Sequence, residues 1–210
     1  MGARMKQVSQ FSISWVAPIV PSVSLAGIPL GVGAEVLARV LLNYLIDETS
    51  QLYQFECSPK LRLRSCGVDE FGNGGYSFSL FDEFVVNDLL KGTPALSIVI
   101  RDGAVFALKA YSFSFPGERT QELMYKGVLP IGIGLGSLVS DFLPFTTLEF
   151  DDAEEWFYSE REYAGLEITG WGVPLDDQPE QIITALCVIL AATEENGAGI
   201  EGSPINGVRP

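Results

Sequence analysis

Three stretches of the chain carry a clear hydrophobic rhythm. Ala34–Leu45 places Val36, Leu37, Val40, Leu41, Tyr44 and Leu45 at helical spacing, and this stripe predicts a short helix. Lys60–Arg64 alternates strictly and predicts a strand, with Leu52–Glu56 as its candidate partner. Ala95–Arg101 and Ala104–Ser114 are β-rich segments on either side of Asp102-Gly103, a dipeptide that favours the type I′ turn, and together they predict a hairpin. Further on, Ser137–Leu143 reads as a second, shorter helix stopped by Pro144, followed by strand candidates Glu155–Ser159 and Gly165–Gly170. Gln181–Leu190 is a continuous apolar run that fits a buried strand or, after Pro179, a short helix. Gly72-Asn73-Gly74-Gly75 marks a loop.

A shift of 103 positions superposes two parts of this pattern. Leu30-Gly31-Val32-Gly33-Ala34 falls on Ile133-Gly134-Leu135-Gly136-Ser137, Tyr53 on Trp156, Phe55 on Tyr158 and Leu63 on Leu166. The Asp-Gly hairpin has no counterpart under the shift, and Gln181–Leu190 falls on Phe78–Asn87. The expected fold class is α+β, two tandem copies of a small unit with a short helix and antiparallel strands, packed as one continuous domain or as two. The expected division is 1–118 for the first copy, 119–192 for the second, acidic copy, and 193–210 for a flexible tail, with the boundary near Pro116–Gln121.

Charge sharpens this picture. Residues 141–210 hold 15 acids and two bases, a net of −13, whereas residues 1–140 hold 12 acids and 11 bases, a net of −1. A field this one-sided repels nucleic acid and anionic lipid and attracts cationic surfaces. No apolar run reaches the ~18 residues of a membrane helix. The longest, Gly127–Val139, contains four glycines and a proline. The start of the chain shows no signal-peptide core, so the expected location is cytoplasmic. Cys57, Cys66 and Cys187 have no metal-like spacing; Cys57 and Cys66 facing each other across a hairpin is one reading, and reduced, semi-buried thiols is the other.

Candidate chemistry is sparse. The chain has no histidine, which removes the Ser-His-Asp and Cys-His arrangements and the commonest metal ligand. Gly132, Gly134 and Gly136 fail the dinucleotide fingerprint, because the third glycine position holds Ser137 in one register and Val139 in the other. Neither a catalytic group, a metal site nor a cofactor is expected. Asp151, Asp152, Glu154 and Glu155 lie together in a turn before Trp156, Phe157 and Tyr158. In an alternating strand Trp156 and Tyr158 share one face and Phe157 takes the other. If one face is core, the other puts an aromatic among carboxylates, the composition of a binding hot spot for Arg or Lys side chains; the alternative is that all three rings are buried. Trp171, followed by Asp176 and Asp177, repeats the theme.

Gly134-Leu135-Gly136-Ser137-Leu138-Val139, an acidic turn, and then Glu155-Trp156-Phe157-Tyr158 together resemble the β-lactamase-inhibitor-protein-like fold and small outer-membrane assembly lipoproteins. They also resemble many acidic immunity proteins that neutralise bacterial toxins. The lipoproteins carry a signal and a lipidation cysteine, and the secreted inhibitors a signal peptide and disulfides. This chain lacks those features, so the resemblance points to the immunity branch. It implies an immunity protein that occludes a cationic toxin domain such as a nuclease, in which Asp151, Asp152, Glu154, Glu155, Asp176 and Asp177 steer, Trp156 and Trp171 anchor, and Tyr158 is a further partner-binding residue. The alternative is a non-catalytic scaffold or assembly factor that holds a protein partner in an apolar groove between the copies.

Overall fold

Antiparallel pairing dominates the chain. The computed structural model describes residues 11–81, 92–112, 122–159 and 163–190, and ten of its strands form one sheet. They are β3 (Leu45–Asp47), β4 (Leu52–Tyr53), β5 (Leu61–Val68), β6 (Gly74–Leu80), β7 (Pro94–Arg101), β8 (Ala104–Tyr111), β9 (Glu149–Asp151), β10 (Trp156–Tyr158), β11 (Leu166–Thr169) and β12 (Ala185–Ile189). The spatial order is β3-β4-β5-β6-β7-β8-β12-β11-β10-β9. Each half of the chain therefore starts at an outer edge and steps inward, and the β8–β12 pair joins the halves. Two short strands, β1 (Ser24–Leu25) and β2 (Ile28–Pro29), form a separate hairpin. The only α-helix among the described residues is α1 (Ala34–Leu41), with Glu35 in its first turn and Arg39 in its last, both suited to the helix dipole.

The fold is thus mostly β, and α+β describes it only loosely. The second predicted helix is a single 3₁₀ turn, Val139–Phe142. Gly136 in the left-handed region and Pro144 leave too few residues between them to nucleate an α-helix. Leu52–Glu56 shortens to two strand residues because the Phe55 N–H turns away to the Ser58 hydroxyl at 2.9 Å. Lys60–Arg64 instead extends to Val68, with a register shift between Leu63 and Ser65. The loop placed at Gly72–Gly75 is offset: the Asp69 carboxylate accepts the N–H groups of Phe71 and Asn73, and Gly74 and Gly75 already belong to β6. The Asp102-Gly103 hairpin forms as expected, both residues having positive φ. Gln181–Leu190 resolves to a strand. Cys66 lies opposite Tyr76 in the sheet, not opposite Cys57; both thiols are exposed and free, and Cys187 is buried. The expected copy boundary and the tail at 193–210 lie outside the described residues.

Strand alternation gives the sheet two unlike faces. On one, paired residues form an apolar row across eight strands: Leu63, Phe78, Leu96, Ala110, Leu186, Ile168, Phe157 and Phe150. Ile13, Trp15, Ile19, Leu25, Ile28, Leu37, Val40, Leu41, Tyr125, Leu129, Val139 and Phe142 cluster with this row to make the core. The polar tips in that layer are paired. Trp15 Nε1 donates to the Leu123 carbonyl at 2.9 Å, and the Tyr125 hydroxyl donates to the Ala17 carbonyl. The neighbouring row, on the opposite face, reads Ser65, Ser77, Ser97, Lys109, Cys187, Glu167, Tyr158 and Glu149. No helix among the described residues is long and apolar enough to cross a membrane.

Candidate functional site

The polar row becomes a site where it meets β10. Alternation buries Phe157, whose ring lies 4.8 Å from that of Phe150, and leaves Trp156 and Tyr158 half-buried on the open face. A cavity of about 190 Å³ opens there, lined by Lys109 from β8, Asp151 from β9, Glu154 from the β9–β10 turn, Trp156 and Tyr158 from β10, and Glu167 from β11. The turn is built by Asp151. Its Oδ1 accepts the Ala153 N–H at 2.8 Å and the Glu154 N–H at 3.2 Å, and its carbonyl accepts the Glu155 N–H. Glu155 takes a left-handed backbone at φ 62°, and its carbonyl accepts the Thr169 hydroxyl at 2.7 Å.

Three interactions set the character of the cavity. The Lys109 ammonium sits 4.9 Å from the centroid of the Trp156 ring, a cation–π contact. The Tyr158 hydroxyl donates to Glu149 Oε2 at 2.9 Å, which fixes that wall. Glu167 is half-buried; burial holds its carboxyl above the ordinary 4.5, Lys109 opposes the shift, and Glu154 and Asp151 add to it. Behind them, burial pushes the Cys187 thiol up to about 12, so it remains an unionised filler between Lys109 and Glu167.

Four of the expected site residues therefore meet: Asp151, Glu154, Trp156 and Tyr158. The others do not line the cavity. Asp152 is exposed in the turn. The Glu155 carboxylate approaches Gly172, where an added Cβ would lie 2.8 Å from its Oε2. Trp171 is exposed on the β11–β12 loop, and Asp176 and Asp177 are exposed farther along it. That loop is organised by Gln181, which is fully buried and whose Oε1 accepts the Trp171 N–H at 3.0 Å.

Lys109, Glu149 and Glu167 were not singled out from the sequence. The available signal was a lone charge inside an apolar strand, in Ala104–Tyr111 and again in Leu166–Thr169. Among the described residues, no three His, Cys, Asp or Glu side chains converge closely enough to hold a metal ion. An apolar crease between the 129–142 segment and strands β11 and β12, lined by Leu129, Ile133, Phe142, Leu166 and Ile183, has no space for a water and is part of the packed core. No protein-family model matches the chain, and no characterised protein or solved structure matches it either.

Proposed function

We propose that this chain is a non-catalytic binding protein, of the immunity type, that neutralises a cationic toxin domain by covering it with the open face of the sheet. The observation that carries this reading is the pairing of two aromatic walls, Trp156 and Tyr158, with Asp151, Glu154 and Glu167 in one cavity. Aromatic side chains at a partly desolvated centre supply residence time, while rim carboxylates supply long-range attraction and a faster encounter. The excess negative charge of residues 141–210 acts in the same direction, and a nuclease domain, whose cleft is built for a polyanion, has the complementary charge. Asp152, Glu155, Asp176 and Asp177 contribute in this scheme to the field, not to contact, and Trp171 is a second aromatic contact at the rim. In the same reading, the two inward-stepping meanders are tandem copies of one unit, of which the second has acquired the binding chemistry.

The test is capture of a partner by the tagged full chain, co-expressed with the product of the neighbouring reading frame, at low and high salt. The expected result is stoichiometric recovery of a basic protein and rescue of growth by this chain. Reversing Asp152 and Glu154 to Lys, with Asp151 kept because its carboxylate caps the turn, is expected to slow association about 10-fold or more at low salt, with the fold retained. Recovery that is indifferent to both salt and the reversals refutes the proposed face.

A further inference from the structure

The cavity holds one cation and three carboxylates. Lys109 answers one of them while lying against Trp156, which leaves Asp151, Glu154 and Glu167 with two negative charges in excess. Those carboxylates do not converge tightly enough to chelate a small ion among the described residues. The matching ligand is a larger cation that spreads its donors over several oxygens and tolerates an aromatic surface. A guanidinium does both: it is planar, weakly hydrated, presents five donors and stacks on rings. Space is adequate, since about 190 Å³ far exceeds the roughly 10–15 Å³ one water requires.

We propose that this cavity is a receptor for a single arginine side chain of the partner, and that Lys109 is a built-in competitor which covers the Trp156 ring until that arginine arrives. The inference rests on the binding function proposed above and adds to it the residue type that enters the face. In the free protein the ammonium masks an aromatic surface that would otherwise be left to solvent. On binding, the guanidinium pairs with Glu167 and the Asp151–Glu154 rim and takes over the Trp156 face, and Lys109 swings out along its flexible stem. Lys109 thereby lowers affinity for every cation equally, and only a guanidinium able to use several carboxylates at once displaces it efficiently.

The probe is N-acetyl-arginine methylamide, titrated into the full chain while tryptophan emission is followed, with the lysine analogue as comparison. Saturable binding in the millimolar range is expected, on the order of what ligand efficiency allows for a molecule of this size. The lysine analogue should bind more weakly, and added salt should weaken both. Trp156→Phe should remove the emission change, and Glu167→Gln should weaken binding about 10-fold. The decisive variant is Lys109→Met. A competitor predicts arginine binding about 3-fold tighter or more, whereas a lysine that merely holds the site together predicts weaker binding. Circular dichroism of each variant establishes that it is folded, and Trp156→Phe, which keeps an aromatic ring, provides a reading of the site even if Glu167→Gln or Lys109→Met does not fold. Absence of saturable binding, equal binding by Glu167→Gln, or weaker binding by folded Lys109→Met overturns the proposal. If the chain captures a basic partner and Trp156→Phe and Glu167→Gln capture it equally well, the binding function stands and the arginine receptor falls. If the arginine probe binds as expected but no basic partner is captured, the receptor stands and the immunity reading falls.

Discussion

Removing the Gln181 side chain should cost the protein about 3 kcal/mol, and the reason is local. Gln181 is fully buried just before β12. Its Oε1 accepts the Trp171 N–H at 3.0 Å, and its Nε2 donates to the carbonyls of Gln178 at 3.0 Å and Val173 at 3.1 Å, with Pro174 at 3.4 Å sharing a hydrogen. One amide thus replaces the missing secondary structure of the 171–180 loop. Three well-formed bonds at about 1 kcal/mol each, with their partners left in a partly desolvated place, give the estimate for Gln181→Ala. For a domain of this size that corresponds to roughly 6–12 °C in Tm. Hydrogen exchange should show the Trp171 amide losing protection, because its acceptor is gone.

Gly170 supplies an internal control. A Cβ at Gly170 would lie 2.3 Å from Gln181 Oε1, so Gly170→Ala should be damaging alone and milder in the Gln181→Ala background. A double-mutant cycle reads this coupling. A loss below about 1 kcal/mol for Gln181→Ala, an unchanged Trp171 amide, or strict additivity with Gly170→Ala would refute the clamp.

Burial raises the Glu167 carboxyl, so the folded state holds its proton to higher pH than the unfolded state does. Stability therefore falls as pH rises from the ordinary 4.5 to the higher folded value, and stays lower above it. Glu167→Gln should remove that fall, and the two proteins should differ in stability at neutral pH but converge below pH 4, as chemical denaturation at a series of pH values would show. Thiol titration of the native protein should find Cys57 and Cys66 reactive and Cys187 inert, the last becoming accessible only on unfolding. Gly75→Ala should destabilise by about 2–3 kcal/mol, because the new Cβ would fall 2.0 Å from the Ile98 carbonyl oxygen, where β6 and β7 approach closely; thermal unfolding measures it.

Part of the candidate site was legible in local sequence. Period-2 alternation in Trp156-Phe157-Tyr158 was enough to put two aromatics on one face and one on the other, while burial against the core layer decided that Phe157 is the one inside. The Asp102-Gly103 pair was enough to make the β7–β8 hairpin, because both φ values it needs are accessible to those residues. The helical stripe of Ala34–Leu45 gave α1 for a similar reason, although only Ala34–Leu41 is α-helical and the chain then tightens to 3₁₀ at Leu42–Tyr44. The charge imbalance is a property of a whole segment and fixes no place on the surface. Of the acids it drew attention to, Asp152, Glu155, Asp176 and Asp177 lie outside the cavity, since a charge count carries no direction.

The partners of Trp156 were decided by tertiary structure alone. Lys109 and Glu167 reach it because β12 inserts between β8 and β11, so that Glu167, Cys187 and Lys109 become neighbours across three strands. The same insertion explains the unbroken apolar run of β12. As a central strand it packs the core with Leu186 and Val188, and it buries Cys187 beneath the charged side chains of its neighbours on the other face. Sequence determines which residues of a strand share a face, because that depends only on the local pleat. It does not determine which strands lie side by side, because that pairing is chosen by the burial of the whole sheet face against Trp15, α1 and the 122–143 segment, contacts that join distant parts of the chain.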